Sequence, residues 1–105
     1  MAGNPLLKGL RPVHPGESLR EIVLPALGKP KTEVARLLGV SRQTLYDVLN
    51  EKQPITANLA LRIGKLVGGG AEVWLRMQLN YDLEIAERAL AKDLKHIPTL
   101  VAAAE

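Results

Sequence analysis

The chain has 105 residues, the usual length of one domain, with 47% apolar residues, no cysteine and a net charge of +3. Without cysteine there can be no disulfide, thiolate zinc site or thiol nucleophile, and no apolar run approaches the roughly 20 residues of a membrane span. Aromatics are 3% and Phe is absent, so Leu, Val, Ile and Ala must fill the core, a composition that suits packed helices better than a sheet.

Residues 1–13 carry Gly3, Pro5, Gly9 and Pro12 and read as a flexible N-terminal arm. They lack a signal-peptide core, which predicts a soluble, cytoplasmic protein. "HPGESLREIVL" starts the first helix. Pro15 fits the first helical position, Glu17 the positive end of the helix dipole, and Leu19, Ile22 and Val23 an apolar face. Pro25 is expected to end this helix near Leu24. "PKTEVARLLG" predicts a second helix, apolar at Val34, Ala35, Leu37 and Leu38 and stopped by Gly39. "SRQTLYDVLN" predicts a third, capped by Ser41. Gln53 and Pro54 break the chain. "TANLALRIGKLVG" predicts a fourth, capped by Thr56, with Leu59, Ile63, Leu66 and Val67 at helical spacing. Gly68–Gly70 is a loop, 71–95 a long fifth helix, and 96–105 a tail. No segment alternates at period two, so the fold class is all-α, five helices.

Charge is uneven along the chain. Residues 1–65 hold ten Lys/Arg against five Asp/Glu, and residues 66–105 four against six. A basic front half is compatible with a polyanionic partner.

The stretch 31–50 carries the chemistry. At about 100° per residue, Arg42, Gln43, Tyr46, Asp47 and Asn50 share one arc of about 140° on the third helix, while Leu45, Val48 and Leu49 lie on the other. Ala35 is small where two helices must cross closely, Gly39 permits a left-handed turn, and Val40 plugs the angle. Together they predict a helix-turn-helix unit over 31–50 within a domain spanning 14–95. The polar arc suits a DNA major groove. Arg can clamp guanine, and Gln or Asn can pair with adenine. Arg42 and Gln43 stand in the first turn, where recognition helices meet bases. Ser41 and Thr44 flank them at the helix N-terminus, where N–H groups attract phosphate. Tyr46 could read bases or lie along the backbone, and Asn50 could read bases or cap the helix end. Lys31 and Thr32, opening the second helix, and Lys52, just past the third, are candidate phosphate contacts. Asp47 would repel phosphate and must face a base donor, an Arg or water.

Four blocks, "RPVHPGESLRE", "ARLLGVSRQTL", "NLALRIGKLV" and "EVWLRMQLNYDL", stand in the order and spacing of HigA/VapI-type antitoxins. The chain therefore resembles that branch of the Cro/C1-like (XRE) helix-turn-helix regulators over residues 11–83. The resemblance implies a five-helix, Cro/C1-repressor-like bundle with a long C-terminal helix, acting as a homodimer. It implies binding to an inverted repeat in double-stranded operator DNA to repress the chain's own operon. It also implies neutralisation of a RelE-like, mRNA-cleaving toxin of HigB type. The alternative is a stand-alone Cro/C1-like repressor without a toxin partner. Two places depart from the branch. Lys29-Pro30 replaces an apolar residue and Ser before the second helix, removing a staple and an N-cap worth about 1 kcal/mol or less each. Gly69-Gly70-Ala71 replaces Thr-Ser-Pro, predicting a looser loop.

The remaining residues offer no catalytic set. There are two separated histidines, no paired acids in a plausible pocket, and a Gly68–Gly70 run without a following Lys-Ser/Thr, so neither an enzyme nor a metal or cofactor is expected. His14 is expected to serve the start of the first helix. Trp74, Met77 and Tyr81, at i, i+3 and i+7, read with Leu45 and Val48 as core or dimer packing. Arg62 and Lys65 are either solvated or on phosphate. The run Glu84, Glu87, Arg88, Lys92 supports an exposed helix through i, i+4 pairs. Ile97, Leu100 and Val101 in the tail suggest packing on a second subunit, with a disordered tail as the alternative.

Overall fold

In a computed structural model, residues 11–101 are described, and they form five helices with no strand among them. Most of the predicted arm, residues 1–10, and the last four residues of the tail, 102–105, lie outside the described residues.

Helix α1 covers residues 15–27. His14 is extended at its N-cap, and its Nδ1 accepts the Gly16 N–H at 2.9 Å, which leaves Pro15 at the first helical position. After Pro15–Ser18 the helix widens into one π turn, Leu19–Val23, where the Leu24 N–H donates to the Leu19 carbonyl. It then tightens again over Leu24–Leu27 and ends at Gly28. Pro25 therefore does not end the helix at Leu24. It falls in the first turn after the wide one, where no N–H is required of it and where the ring's clash with the carbonyl four residues back is relieved. The extra residue in that turn also changes which side chains face in. Leu19 and Leu24 are buried, Val23 is half-buried, and Ile22, expected on the apolar face, is 68% exposed.

Helices α2 (Lys31–Leu38) and α3 (Arg42–Leu49) follow the predicted bounds closely. Pro30 gives α2 no side-chain cap, yet the helix starts at Lys31 because the Pro30 carbonyl accepts the Glu33 and Val34 N–H groups at 3.0 Å each. Val34, Ala35 and Leu38 are buried, but Leu37, expected among them, is 43% exposed. Helix α4 (Ala57–Val67) is capped by Thr56, whose Oγ1 accepts the Leu59 N–H. Helix α5 (Glu72–Leu94) follows three glycines with positive φ, and its N-cap is Ala71, with no side-chain bond.

Leu19, Leu45, Val48, Leu49, Ile55 and Ile63 form the centre of one core, closed at one side by Trp74 from α5. The α1–α3 crossing is unusually close. A Cβ at position 16 would lie 1.9 Å from the Val48 carbonyl oxygen, so only glycine fits there. Tyr81 meets the His14 ring edge-on at 4.8 Å, and Met77 is half-buried against the core, accepting the Ser18 hydroxyl. Gln78 is the polar member of this wall. Its Oε1 accepts the buried Ile55 N–H at 2.7 Å while its amide donates to Asp82. Gln78→Ala would leave that N–H buried without an acceptor, a cost of about 1–3 kcal/mol. A urea midpoint that falls with an unchanged slope would register it.

Beyond Asp82 every residue of α5 is exposed. Leu83, Ile85, Leu90 and Leu94 continue an apolar series into Ile97, Leu100 and Val101, each 43% or more exposed. The Arg88–Glu84 pair at 2.9 Å is one of the expected i, i+4 pairs.

Candidate nucleic-acid interface

The turn between α2 and α3 is built by backbone. Gly39 adopts φ +74°, which only glycine takes without strain, and donates to the Arg36 carbonyl, while the Val40 N–H donates to Ala35. Arg62 reaches over from α4. Its guanidinium donates to the Leu38 carbonyl at 2.9 Å and to Asn58 Oδ1 at 2.7 Å. Arg62 is exposed, as the solvated reading expected, and it also caps the C-terminal end of α2.

Ser41 caps α3 as expected. Its Oγ accepts the Thr44 N–H at 3.0 Å and donates to Thr44 Oγ1 at 2.9 Å, so both hydroxyls are committed to the helix start. Leu45, Val48 and Leu49 are buried, while Arg42, Gln43 and Asn50 are exposed and Tyr46 and Asp47 half-buried. The division of α3 into two faces is the one the periodicity predicted. Asn50 is the C-cap, its N–H donating to the Tyr46 carbonyl, and Glu51 follows with φ +64°, which ends the helix.

The candidate residues gather in two shallow recesses on either side of Tyr46. One, of about 430 Å³, is lined by Ser41, Arg42, Gln43 and Tyr46. The other, of about 250 Å³, is lined by Lys31, Tyr46, Leu49, Asn50 and Arg20. Arg20, which the sequence did not single out, also lines this second recess. It lies on the outer side of α1, and its guanidinium donates to the Leu49 carbonyl and sits 3.5 Å from the Glu51 carboxylate. The only sequence signal was a lone basic residue beside an apolar face. Thr32 and Lys52 are exposed but line neither recess, and Thr44 is half-buried beside Ser41. Asp47 is held by two amides. Its Oδ1 accepts the Gln43 amide at 2.8 Å and its Oδ2 the Gln53 amide at 3.4 Å.

One recess thus offers the Lys31 ammonium, a phenol and an amide, beside an Arg20 already paired with Glu21 at 2.8 Å and Glu51 at 3.5 Å; the other offers a guanidinium and an amide at the positive end of α3. That is the chemistry of backbone phosphate on one side and base edges on the other. Among the described residues no group of His, Asp or Glu could hold a metal ion, and no helix is long and apolar enough to cross a membrane.

The sequence profile of the helix-turn-helix family matches residues 19–72. Virulence-associated protein I of Dichelobacter nodosus is 42% identical over 76 residues, covering 72% of this chain and 70% of that one. The chain belongs to the helix-turn-helix family, in its HigA/VapI-type branch. Among solved structures, the Pseudomonas aeruginosa antitoxin HigA with the higBA promoter superposes with a TM-score of 0.81 at 36% identity, over 87% of this chain and all of that one. Antitoxin GraA in complex with its operator gives 0.83 at 34% identity, over 97% of this chain and all of GraA. Membership makes the chain an XRE-type, HigA-like DNA-binding regulator with a helix-turn-helix fold. Of the relatives named, HigA and GraA are antitoxins.

The start of the helix-turn-helix domain carries a titratable group. Burial pushes the His14 pKa below its ordinary value, against the opposing pull of the Glu51 and Asp82 carboxylates and a hydrogen bond to the Gln53 backbone. The neutral imidazole is the form that accepts the Gly16 N–H at Nδ1. The unfolded chain therefore binds this proton more readily, and the stability held above about pH 6.5 declines as pH falls toward the depressed folded value. Denaturation curves at pH 7.5 and 5.5 should show the lower pH less stable. His14→Asn, which keeps an N-cap acceptor, should remove most of that difference.

Proposed function

We propose that this chain is a dimeric antitoxin that represses its own operon through an inverted repeat and neutralises a RelE-like, mRNA-cleaving toxin. The observation that carries the DNA half is the exposed Arg42/Gln43 tip of α3, set beside the recess containing Arg20 and Lys31. The helix-turn-helix domain, taken as 14–95 with its unit at 31–50, presents α3 to the major groove. Arg42 and Gln43 read bases, and Tyr46 and Asn50 stand at the boundary between base and backbone. Lys31, Thr32, Lys52 and the N–H groups around Ser41 and Thr44 hold phosphate.

The homodimer is supported by the exposed apolar series from Leu83 through Val101, which water would otherwise face. Two copies would place their α3 helices in successive major grooves, about 34 Å apart. The toxin half is supported by similarity to antitoxins, including 28% identity over 95 residues to antitoxin HigA-1 of Vibrio cholerae. The chain works as a binding protein rather than an enzyme, without a cofactor, at bacterial DNA in the cytoplasm.

The test is co-expression with the product of the adjacent gene, which this reading expects to be a small basic ribonuclease. Growth arrest by that product alone, relief by this chain, and co-purification of the two are the expected results. A neighbour that is harmless and does not co-purify would leave a stand-alone repressor, the reading favoured if only operator binding survives.

A further inference from the structure

Asp47 is an acid on a face that must approach a polyanion. Its position is explained by what it holds. One carboxylate oxygen takes the Gln43 amide at 2.8 Å and the other takes the Gln53 amide at 3.4 Å. Asp47 and Gln43 are one helical turn apart on α3, which puts the two side chains within reach of each other. Gln53 reaches the same carboxylate from beyond the end of α3, whose last turn is fastened by the Lys52 and Gln53 N–H groups donating to the Asp47 backbone carbonyl.

A free glutamine amide is ambiguous. It carries one acceptor oxygen and two N–H donors, and rotating it by half a turn exchanges them. Adenine presents a donor and an acceptor in the major groove, whereas guanine presents two acceptors. A glutamine with both donors available can serve either base. Once one N–H is held by Asp47, what remains is the carbonyl oxygen and a single N–H. That pair complements adenine and leaves one guanine acceptor facing an oxygen.

We infer that Asp47, backed by Gln53, orients Gln43 so that α3 selects adenine over guanine at the base pair Gln43 meets; the inference rests on the DNA-binding reading above. Asp47 is then a positioning residue, touching no base itself. Its charge is offset locally by the two amide groups that donate to it.

The probe is a pool of DNA duplexes with a randomised core, selected on the full-length wild-type chain. The selected duplex and each of its single-pair variants are then measured at one fixed salt concentration. The pair whose identity ceases to matter in Gln43→Ala should be A·T. Changing it to G·C should cost the wild type about 5- to 150-fold in affinity. Asp47→Ala should shrink that ratio to about threefold or less without altering the salt dependence, since no phosphate contact is lost. Asp47→Asn, which keeps an acceptor oxygen for Gln43, should restore most of the ratio. A Gln43-dependent pair that proves to be G·C overturns the inference, as does a full adenine preference in a folded Asp47→Ala, or a Gln43→Ala that changes no position. The base-identity result needs no Asp47 variant, so misfolding cannot shelter the idea. Failure of the wild type to select any duplex over the pool would instead sink the DNA-binding reading, and this inference with it.

Discussion

Replacing Arg42 and Gln43 together by alanine reduces affinity for the selected duplex by about 2–6 kcal/mol, taking about 1–3 kcal/mol for each base contact. The two side chains are exposed at the start of α3 and line the same recess. Neither supports the core, which is held from the other face by Leu45, Val48 and Leu49. The melting temperature should therefore stay within a few degrees of wild type while specific binding collapses toward the non-specific level. Lys52→Ala is the control. It is exposed, lines neither of the two recesses and should weaken all sequences alike, lowering the slope of log affinity against log salt by about one. Isothermal titration or a mobility-shift series at several salt concentrations separates the two. Unchanged affinity in the double variant would mean that α3 is not the reading helix.

Gly16→Ala should lower stability by about 3 kcal/mol or more. Alanine is the better helix former, which would favour the substitution by at most about 1 kcal/mol. The added Cβ, however, would lie 1.9 Å from the Val48 carbonyl oxygen and 3.0 Å from both the Val48 carbonyl carbon and His14 Nδ1. The first obstacle is backbone of α3 and cannot rotate aside. The two helices must part, and overpacking on that scale sits at or above the top of the usual range of about 1–3 kcal/mol. For a domain of this size, 3 kcal/mol corresponds to a fall in Tm of roughly 12–24 °C. Because α3 is the helix displaced, DNA affinity should fall in the same variant. Thermal melts read the first effect and duplex binding the second. A Tm at or above wild type would mean that α1 and α3 do not meet at this glycine.

The helices and their starts were legible because their causes are local. Ser41 and Thr56 accept from N–H groups three residues on, and Gly39 ends α2 through its own φ, so each signal lies within one turn of the chain. The two-faced character of α3 follows equally from a fixed rotation per residue. The candidate interface was legible to the same extent: Arg42, Gln43, Tyr46 and Asn50 emerge where the periodicity places them. Misreadings began where the period itself broke. The π turn ahead of Pro25 carried α1 on to Leu27 and turned Ile22 to solvent. Leu37 fails for a related reason: helical spacing puts it at the edge of the apolar stripe, and only the crossing of α2 with α4 decides that the edge stays open.

By itself, then, the sequence determined an all-helical chain, the helix-turn-helix unit and the polar face of α3, because capping, glycine turns and helical period act over four residues or fewer. Tertiary structure alone decided which polar groups serve that face. Arg62 reaches the end of α2 across 24 residues of sequence, and Arg20 reaches the end of α3 across 29. Gln53 finds Asp47 only after the chain has turned beyond α3. Such contacts depend on helix crossing angles and on the close packing of side chains a few ångströms apart, and no local pattern in the chain encodes them.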